Sequence, residues 1–312
     1  MADVILHHYP PSPVSEKIRV AFGLKNLSWK SVEQNRLPDR PELFAMTGGY
    51  RRIPVMQIGA DIYCDTQCIF RELEQRFPTP SFHPAGNSGL DYGVSRWADA
   101  PFFELCVRTA FAPAIASLPP ELVADRTRLY FGPDGDMAAE AKDIPHTLSQ
   151  LRPQLGWLND QLSNDGPFMH GSEPSLADLS MWYLVWFFKG RYAESESMLA
   201  QFPLLLAWSE KMQGIGHGNM QELSIADALA TANSAEPTTK EHADPSDPQG
   251  IEPGMLISVQ PLTNSGESAV EGRVLSVTAD RIALARSHEL CGNVAVHFPR
   301  VGYRCTVVNA ES

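Results

Sequence analysis

The sequence predicts three architectures in succession: an α/β domain over 1–80, an all-α domain over 85–230, and a small all-β, barrel-like domain over 251–312. Three observations predict this. A proline-headed apolar run at 53–58 is followed by a turn, a second short apolar run and a helical pattern. From about residue 84 the apolar residues recur at helical rather than strand spacing. The last sixty residues hold five short apolar runs separated by turn signals.

The central stretch sets the α/β assignment. Ile53-Pro54-Val55-Met56-Gln57-Ile58 reads as a strand, because proline, which donates nothing to a sheet ladder, is tolerated at a strand's first residue. Gly59-Ala60-Asp61 is the turn, and Ile62-Tyr63-Cys64 the second arm of a hairpin. Asp65-Thr66 then opens a helix with Ile69, Phe70, Leu73 and Phe77 on one face, stopped by Pro78. Upstream, residues 4–8 form a short strand and 9–14, rich in proline, a loop. Ser15 is a candidate cap for the next helix, whose apolar face carries Ile18, Val20, Ala21, Phe22 and Leu24. A strand at 29–32 follows, and the polar segment 36–44, with two prolines, is expected to be mobile. The order β-α-β-β-β-α is that of a thioredoxin-like domain.

Ile-Pro at a strand start, a hairpin and then Asp-Thr-x-x-Ile opening a helix resemble the glutathione-binding half of glutathione S-transferases, specifically the bacterial type with serine at the reactive position. That resemblance implies a cis peptide before Pro54, backbone pairing of Ile53 with the cysteinyl part of glutathione, and Asp65 and Thr66 at its γ-glutamyl end. The family more often has Glu-Ser at those two positions. It also implies Ser12 as the reactive group, with Tyr9 as the alternative hydroxyl. A hydroxyl donating to sulfur at a positive helix end suits the chemistry, since a thiol with pKa near ~8.5 is only slightly ionised at neutral pH. The family's common Asn-Pro-x-Gly-x-Val-Pro pattern is rewritten here as Thr47-Gly48-Gly49-Tyr50-Arg51-Arg52. Arg51 and Arg52 are candidates to pair with the glycyl carboxylate, because guanidinium matches carboxylate geometry. They are equally readable as solvated surface charges.

In the helical half, Tyr92, Val94, Trp97, Phe102, Phe103, Leu105 and Val107 recur at helical spacing, as do Leu148, Leu151, Leu155, Leu158 and Leu162. Ser175-x-x-Asp178 reads as a capping box ahead of an apolar helix. The run Gly171-x-x-Pro174-Ser175-x-Ala177-Asp178 is similar to one in the helical domain of the same family, where it serves folding. An electrophile pocket near Phe102, Phe103, Cys106 and Arg108 is expected from placement alone. The family resemblance covers about 1–230; residues 231–250, with three prolines and alanine as the one apolar type, read as a linker, and the β tail is foreign to the family.

A net charge of −12 argues against nucleic acid or an anionic membrane as the main partner, since both call for basic patches. No apolar run is long enough to span a bilayer. Five cysteines without a Cys-x-x-Cys pair read as reduced thiols of a cytoplasmic protein, and His288, Cys291 and His297 are too loosely spaced for a metal site. The expected function is a glutathione transferase, in the resemblance a homodimer, that uses glutathione as co-substrate against a small hydrophobic electrophile. The alternative is a scaffold of the same fold whose β tail binds a partner.

Overall fold

A computed structural model describes residues 3–308 apart from Asp165 and Asn264. The chain divides into two compact units: Met1–Ile18, Ser28–Gln75 and Asn219–Ser312 form one, Arg19–Leu27 and Arg76–Gly218 the other.

In chain order the elements are β1 (Val4–His8), α1 (Pro13–Leu24), β2 (Ser28–Glu33), α2 (Pro41–Thr47), β3 (Val55–Ile58), β4 (Asp61–Cys64) and α3 (Thr66–Arg76). The helical unit follows with α4 (Ser88–Trp97), α5 (Phe103–Phe111), α6 (Pro120–Phe131), α7 (Met137–Lys142), α8 (Ile144–Gln161), α9 (Leu176–Arg191), α10 (Ser195–Leu199) and α11 (Pro203–Gly214). The chain then returns to the first unit through β5 (Asn219–Glu222), α12 (Ile225–Asn233), β6 (Leu256–Pro261), β7 (Val270–Val277), β8 (Arg281–His288), β9 (Gly292–Pro299) and β10 (Tyr303–Val307).

A thioredoxin-like N-terminal half, a helical half and five tail strands are all present, as the sequence predicts. Residues 219–230, expected as the end of the helical half, join the sheet unit instead, in β5 paired with β2 and in α12. What spacing does not reveal is how the tail connects. One ten-stranded sheet runs β10-β6-β7-β8-β9-β4-β3-β1-β2-β5. The joint is a parallel pairing of β4 with β9, Asp61 to Ala295 through Tyr63 to His297. An exposed strand edge is an aggregation hazard, and here β9 covers β4. The interior is shared accordingly: Leu43, Met46, Val55, Ile62 and Cys64 lie in one buried cluster with Ile257, Val274, Leu284, Val296 and Phe298.

The stretch 231–250 is pinned rather than loose. Its first residues finish α12, and the Thr238 N–H and hydroxyl donate to Asp61 Oδ2 at 2.8 and 2.7 Å. Thr239 Oγ1 donates to Asp61 Oδ1 at 2.7 Å, and His297 Nε2 lies 3.1 Å from the same oxygen. Burial raises the Asp61 carboxyl, but the hydrogen bonds from His297, Thr238 and Thr239 outweigh it and hold the group well below the usual range.

Two local expectations are corrected. Segment 36–44 is not all mobile: Pro41 opens α2, where its missing N–H is no loss. That helix buries Leu43, Met46 and Thr47 and ends at Gly48, whose φ of 77° suits glycine. The cap of α1 is Ser12 and not Ser15, since Pro13 fixes the helix start one residue after Ser12.

His7 carries a testable consequence. Gln57 Nε2 donates to the carbonyls of Gly59 and Ala228, tying α12 to the sheet. Gln57 Oε1 is therefore the acceptor toward His7 Nε2 at 2.9 Å, which makes His7 the Nε2–H tautomer. Burial, opposed only by that hydrogen bond, lowers the His7 pKa to about 4. Between that value and ~6.5 the unfolded chain binds a proton that the folded chain refuses, so stability falls as the pH drops through this window. Urea unfolding is expected to lose about 2 kcal/mol from this group between pH 7.5 and 5. A His7→Gln variant should show a correspondingly shallower pH slope; an unchanged slope would remove His7 as its source.

Candidate functional site

Register brings the predicted groups to one end of the sheet. His7 pairs with Val55, and Val55 with Cys64. The loop after β1, the residues before β3 and the turn after β4 therefore meet at the same end. They carry Tyr9 and Ser12, Ile53 and Pro54, and Asp65 and Thr66.

Ser12 is buried, and its Oγ accepts the Ser15 N–H at 3.2 Å, satisfying one of the orphan donors of α1. The hydroxyl hydrogen finds no acceptor among the described residues and stays available for donation. Tyr9 is half-buried, and its carbonyl accepts the Ser12 N–H at 3.1 Å. The Ile53–Pro54 peptide is cis. Ile53 lies outside the regular strands, and neither its N–H nor its carbonyl is hydrogen-bonded among the described residues. Asp65 adopts φ 73°, a region a non-glycine residue rarely occupies. There its Oδ1 accepts the Gln67 N–H at 2.9 Å and caps α3, with buried Thr66 as the first helical residue.

Two tail elements enter this end of the sheet. Tyr303, at the head of β10, donates to Asp65 Oδ2 at 3.0 Å. With its single hydrogen so used, it accepts from the Tyr50 hydroxyl at 3.0 Å. Burial and the nearby Asp65 charge push both phenols well above their usual pKa, so both remain protonated. Phe298 fixes the pair, lying edge-on to Tyr50 at 5.8 Å and tilted to Tyr303 at 6.0 Å.

The second element is the loop after β6. Arg52 Nε donates to Glu267 Oε1 at 2.8 Å, its Nη2 pairs with Oε2, and Nη2 also donates to Thr263 at 2.6 Å. Burial raises the Glu267 carboxyl, yet the hydrogen bonds and charge of Arg52, helped by Ser265, hold it below its ordinary range. Arg52 is thus neither a solvated charge nor an empty carboxylate receptor. Arg51 offers its carbonyl to Arg40 Nη1 at 2.6 Å. No sequence signal links residue 52 to 267 or 65 to 303; sheet order alone does so.

The four residues expected near an electrophile belong to the helical unit. Phe102 and Cys106 are fully buried, and burial pushes the Cys106 thiol up. They are core side chains with no face open to a ligand. Phe103 is half-buried, edge-on to Tyr130 at 5.5 Å. Arg108 pairs with Glu140 at 2.7 Å and with Glu104 at 3.5 Å.

Residues 6–81 match the glutathione S-transferase N-terminal domain and residues 138–211 its C-terminal domain. A crystal structure of a GST-like protein from Pseudomonas syringae is 33% identical, with a TM-score of 0.82, covering 99% of this chain and 100% of that one. The chain belongs to the glutathione S-transferase family. A probable glutathione S-transferase, parA, from Nicotiana tabacum is 19% identical over 213 residues, 67% of this chain and 84% of that protein. A glutathione transferase from Methylobacterium radiotolerans, solved with glutathione sulfonate, shares the fold at 16% identity and a TM-score of 0.50, over 71% of this chain and 97% of its own. Both family-domain matches end before the tail, whereas the Pseudomonas likeness runs through it.

Among the described residues no helix is long and apolar enough to cross a membrane, and all five cysteines are buried and free.

Proposed function

We propose that this chain is a glutathione transferase whose glutathione lies across the sheet end formed by Ser12, Ile53, Pro54, Asp65 and Thr66. The observation that carries the reading is Ser12: it accepts a hydrogen bond from the first turn of α1 while its own hydrogen is unspent. A thiolate seated there receives that hydrogen and faces the positive end of a twelve-residue helix. Lowering the thiol pKa by about two units corresponds to ~2.7 kcal/mol. The thiol proton passes to solvent, and the thiolate attacks the carbon of a small hydrophobic electrophile. The carbon–sulfur bond forms as a leaving group departs with its electron pair, or as an activated double bond opens and its carbanion takes a proton from solvent. Glutathione sulfonate, bound by the Methylobacterium relative, agrees with the choice of ligand. The unpaired Ile53 backbone offers an extended peptide two hydrogen bonds.

Calorimetric titration of glutathione into the native chain and Ser12→Ala, with the thiolate absorbance followed in parallel, tests this. The variant is expected to bind, to lose the thiolate signal and to lose turnover by roughly 10²-fold, the usual effect of removing one donor from a developing anion. An unchanged thiolate signal would move the role to Tyr9 or a backbone amide.

A second reading has one observation in its favour: Glu267 and Tyr303 already hold Arg52 and Asp65. On that reading the fold is kept as a scaffold and the chemistry is lost. Absence of glutathione binding by the native chain would select it.

A further inference from the structure

Arg51 and Arg52 were the expected receptors for the glycyl carboxylate of glutathione, and Arg52 is occupied by a carboxylate of its own chain. We infer that Glu267 stands in for that carboxylate, so that the site selects γ-glutamyl-cysteinyl thiols irrespective of a C-terminal glycyl carboxylate. The inference rests on the glutathione reading proposed above and narrows its substrate class.

The Glu267 station is built into the fold. Its side chain is 4% exposed, and the Ser265 hydroxyl donates to Oε2 beside Arg52. Its main-chain carbonyl accepts from Gln260 Nε2 at 2.7 Å, which fastens the loop to β6. The Arg51 charge also falls on Glu267 and adds to the hold. An incoming glycyl carboxylate has two options. It can displace Glu267, leaving a buried carboxylate with Ser265 as its remaining side-chain donor, which is strongly unfavourable. It can share the guanidinium, bringing two carboxylates against each other, a like-charge contact unfavourable for both. Neither option rewards the presence of the carboxylate.

The opposite end behaves differently. Asp65 accepts from Gln67 and Tyr303, while an ionised carboxylate offers about four lone-pair positions. Room for an ammonium hydrogen bond remains, so the γ-glutamyl amine is still read. The free Ile53 backbone reads the cysteinyl unit in between.

Calorimetry decides the matter with three ligands: glutathione, glutathione carrying its glycyl carboxylate as the amide, and γ-glutamylcysteine. The native chain is expected to bind glutathione and its amide within about twofold of each other. Glu267→Gln, which removes the competing charge and frees the guanidinium, should prefer glutathione over the amide by about tenfold, as a charge-assisted bidentate pair forms. A tenfold preference for glutathione by the native chain overturns the inference and leaves the glutathione reading standing. Equal binding by both proteins also overturns it, because the glycyl carboxylate then lies away from Arg52. If no ligand binds the native chain, the glutathione reading itself fails and this one falls with it. Should Glu267→Gln not fold, judged by its melting curve, the native comparison still stands: a tenfold preference rejects the inference, and equal affinities with weaker γ-glutamylcysteine binding also reject it.

Discussion

Asp178→Ala is expected to destabilise the helical unit by about 3–5 kcal/mol, because several buried donors lose their acceptor at once. Asp178 is fully buried at the first turn of α9 and uses both oxygens fully. Oδ1 accepts the Met169 N–H at 2.9 Å and the Trp208 indole N–H at 2.8 Å. Oδ2 accepts the Ser175 N–H at 2.9 Å and its hydroxyl at 2.7 Å, closing the capping box. One deletion therefore strands four donors on three buried residues, each costing about 1–3 kcal/mol if left unpaired, less what relaxation recovers. Against the 5–15 kcal/mol typical of a domain, that brings the unit near its unfolding threshold. Urea unfolding followed by tryptophan fluorescence reports it directly, because Trp208 loses its partner and packs edge-on to Trp182 at 6.3 Å. A loss below 1 kcal/mol would mean that the network is not what holds α9 in place.

That box was legible in the sequence because it is local: a serine and an aspartate three residues apart, ahead of an apolar run. The hairpin and the Asp65 cap were legible for the same reason, each being fixed by neighbours within a few positions, whereas the cis Ile53–Pro54 bond was implied by the family resemblance. The strands of the tail were legible one by one as short apolar runs set off by turn signals. Their position in the sheet was not, because β4 and β9 are more than two hundred residues apart and nothing in the Ile62 or Val296 neighbourhood names the other as partner. The same gap hid Glu267 and Tyr303 from the site. The linker assignment at 231–250 followed from composition, since prolines and polar residues usually mean a loose chain. Here Thr238 and Thr239 are tied by the buried Asp61 carboxylate instead, a long-range satisfaction that composition does not register. The mobile segment at 36–44 misled for a related reason: proline marks a loop in most contexts, but at a helix's first turn it marks a beginning.

A chain ending at residue 250 is expected to lose the cooperative folding of the sheet unit and to aggregate. The deletion removes β9 and so exposes the β4 edge, an apolar strand with Ile62 and Tyr63 buried in the complete chain. It also removes Ile257, Val259, Val270, Val274, Val277, Ile282, Leu284, Val296 and Phe298 from a core they share with Leu43, Met46, Val55 and Ile62. At about 1.5–3 kcal/mol for each buried aliphatic or aromatic side chain, the loss exceeds the whole stability of an ordinary domain. A graded version is Phe298→Ala, expected to cost about 3–5 kcal/mol and to loosen Tyr303, which donates to Asp65, together with Tyr50 beside it. Thermal melting and sedimentation of the two proteins distinguish the possibilities. A soluble truncated chain that still melts cooperatively would make the tail an appendage set on a complete thioredoxin-like domain. Aggregation of the truncated chain, with a lowered but cooperative transition in Phe298→Ala, would make the tail part of the domain that forms the site. The end of the sheet that carries Ser12, Ile53 and Asp65 would then not assemble in this chain without the tail.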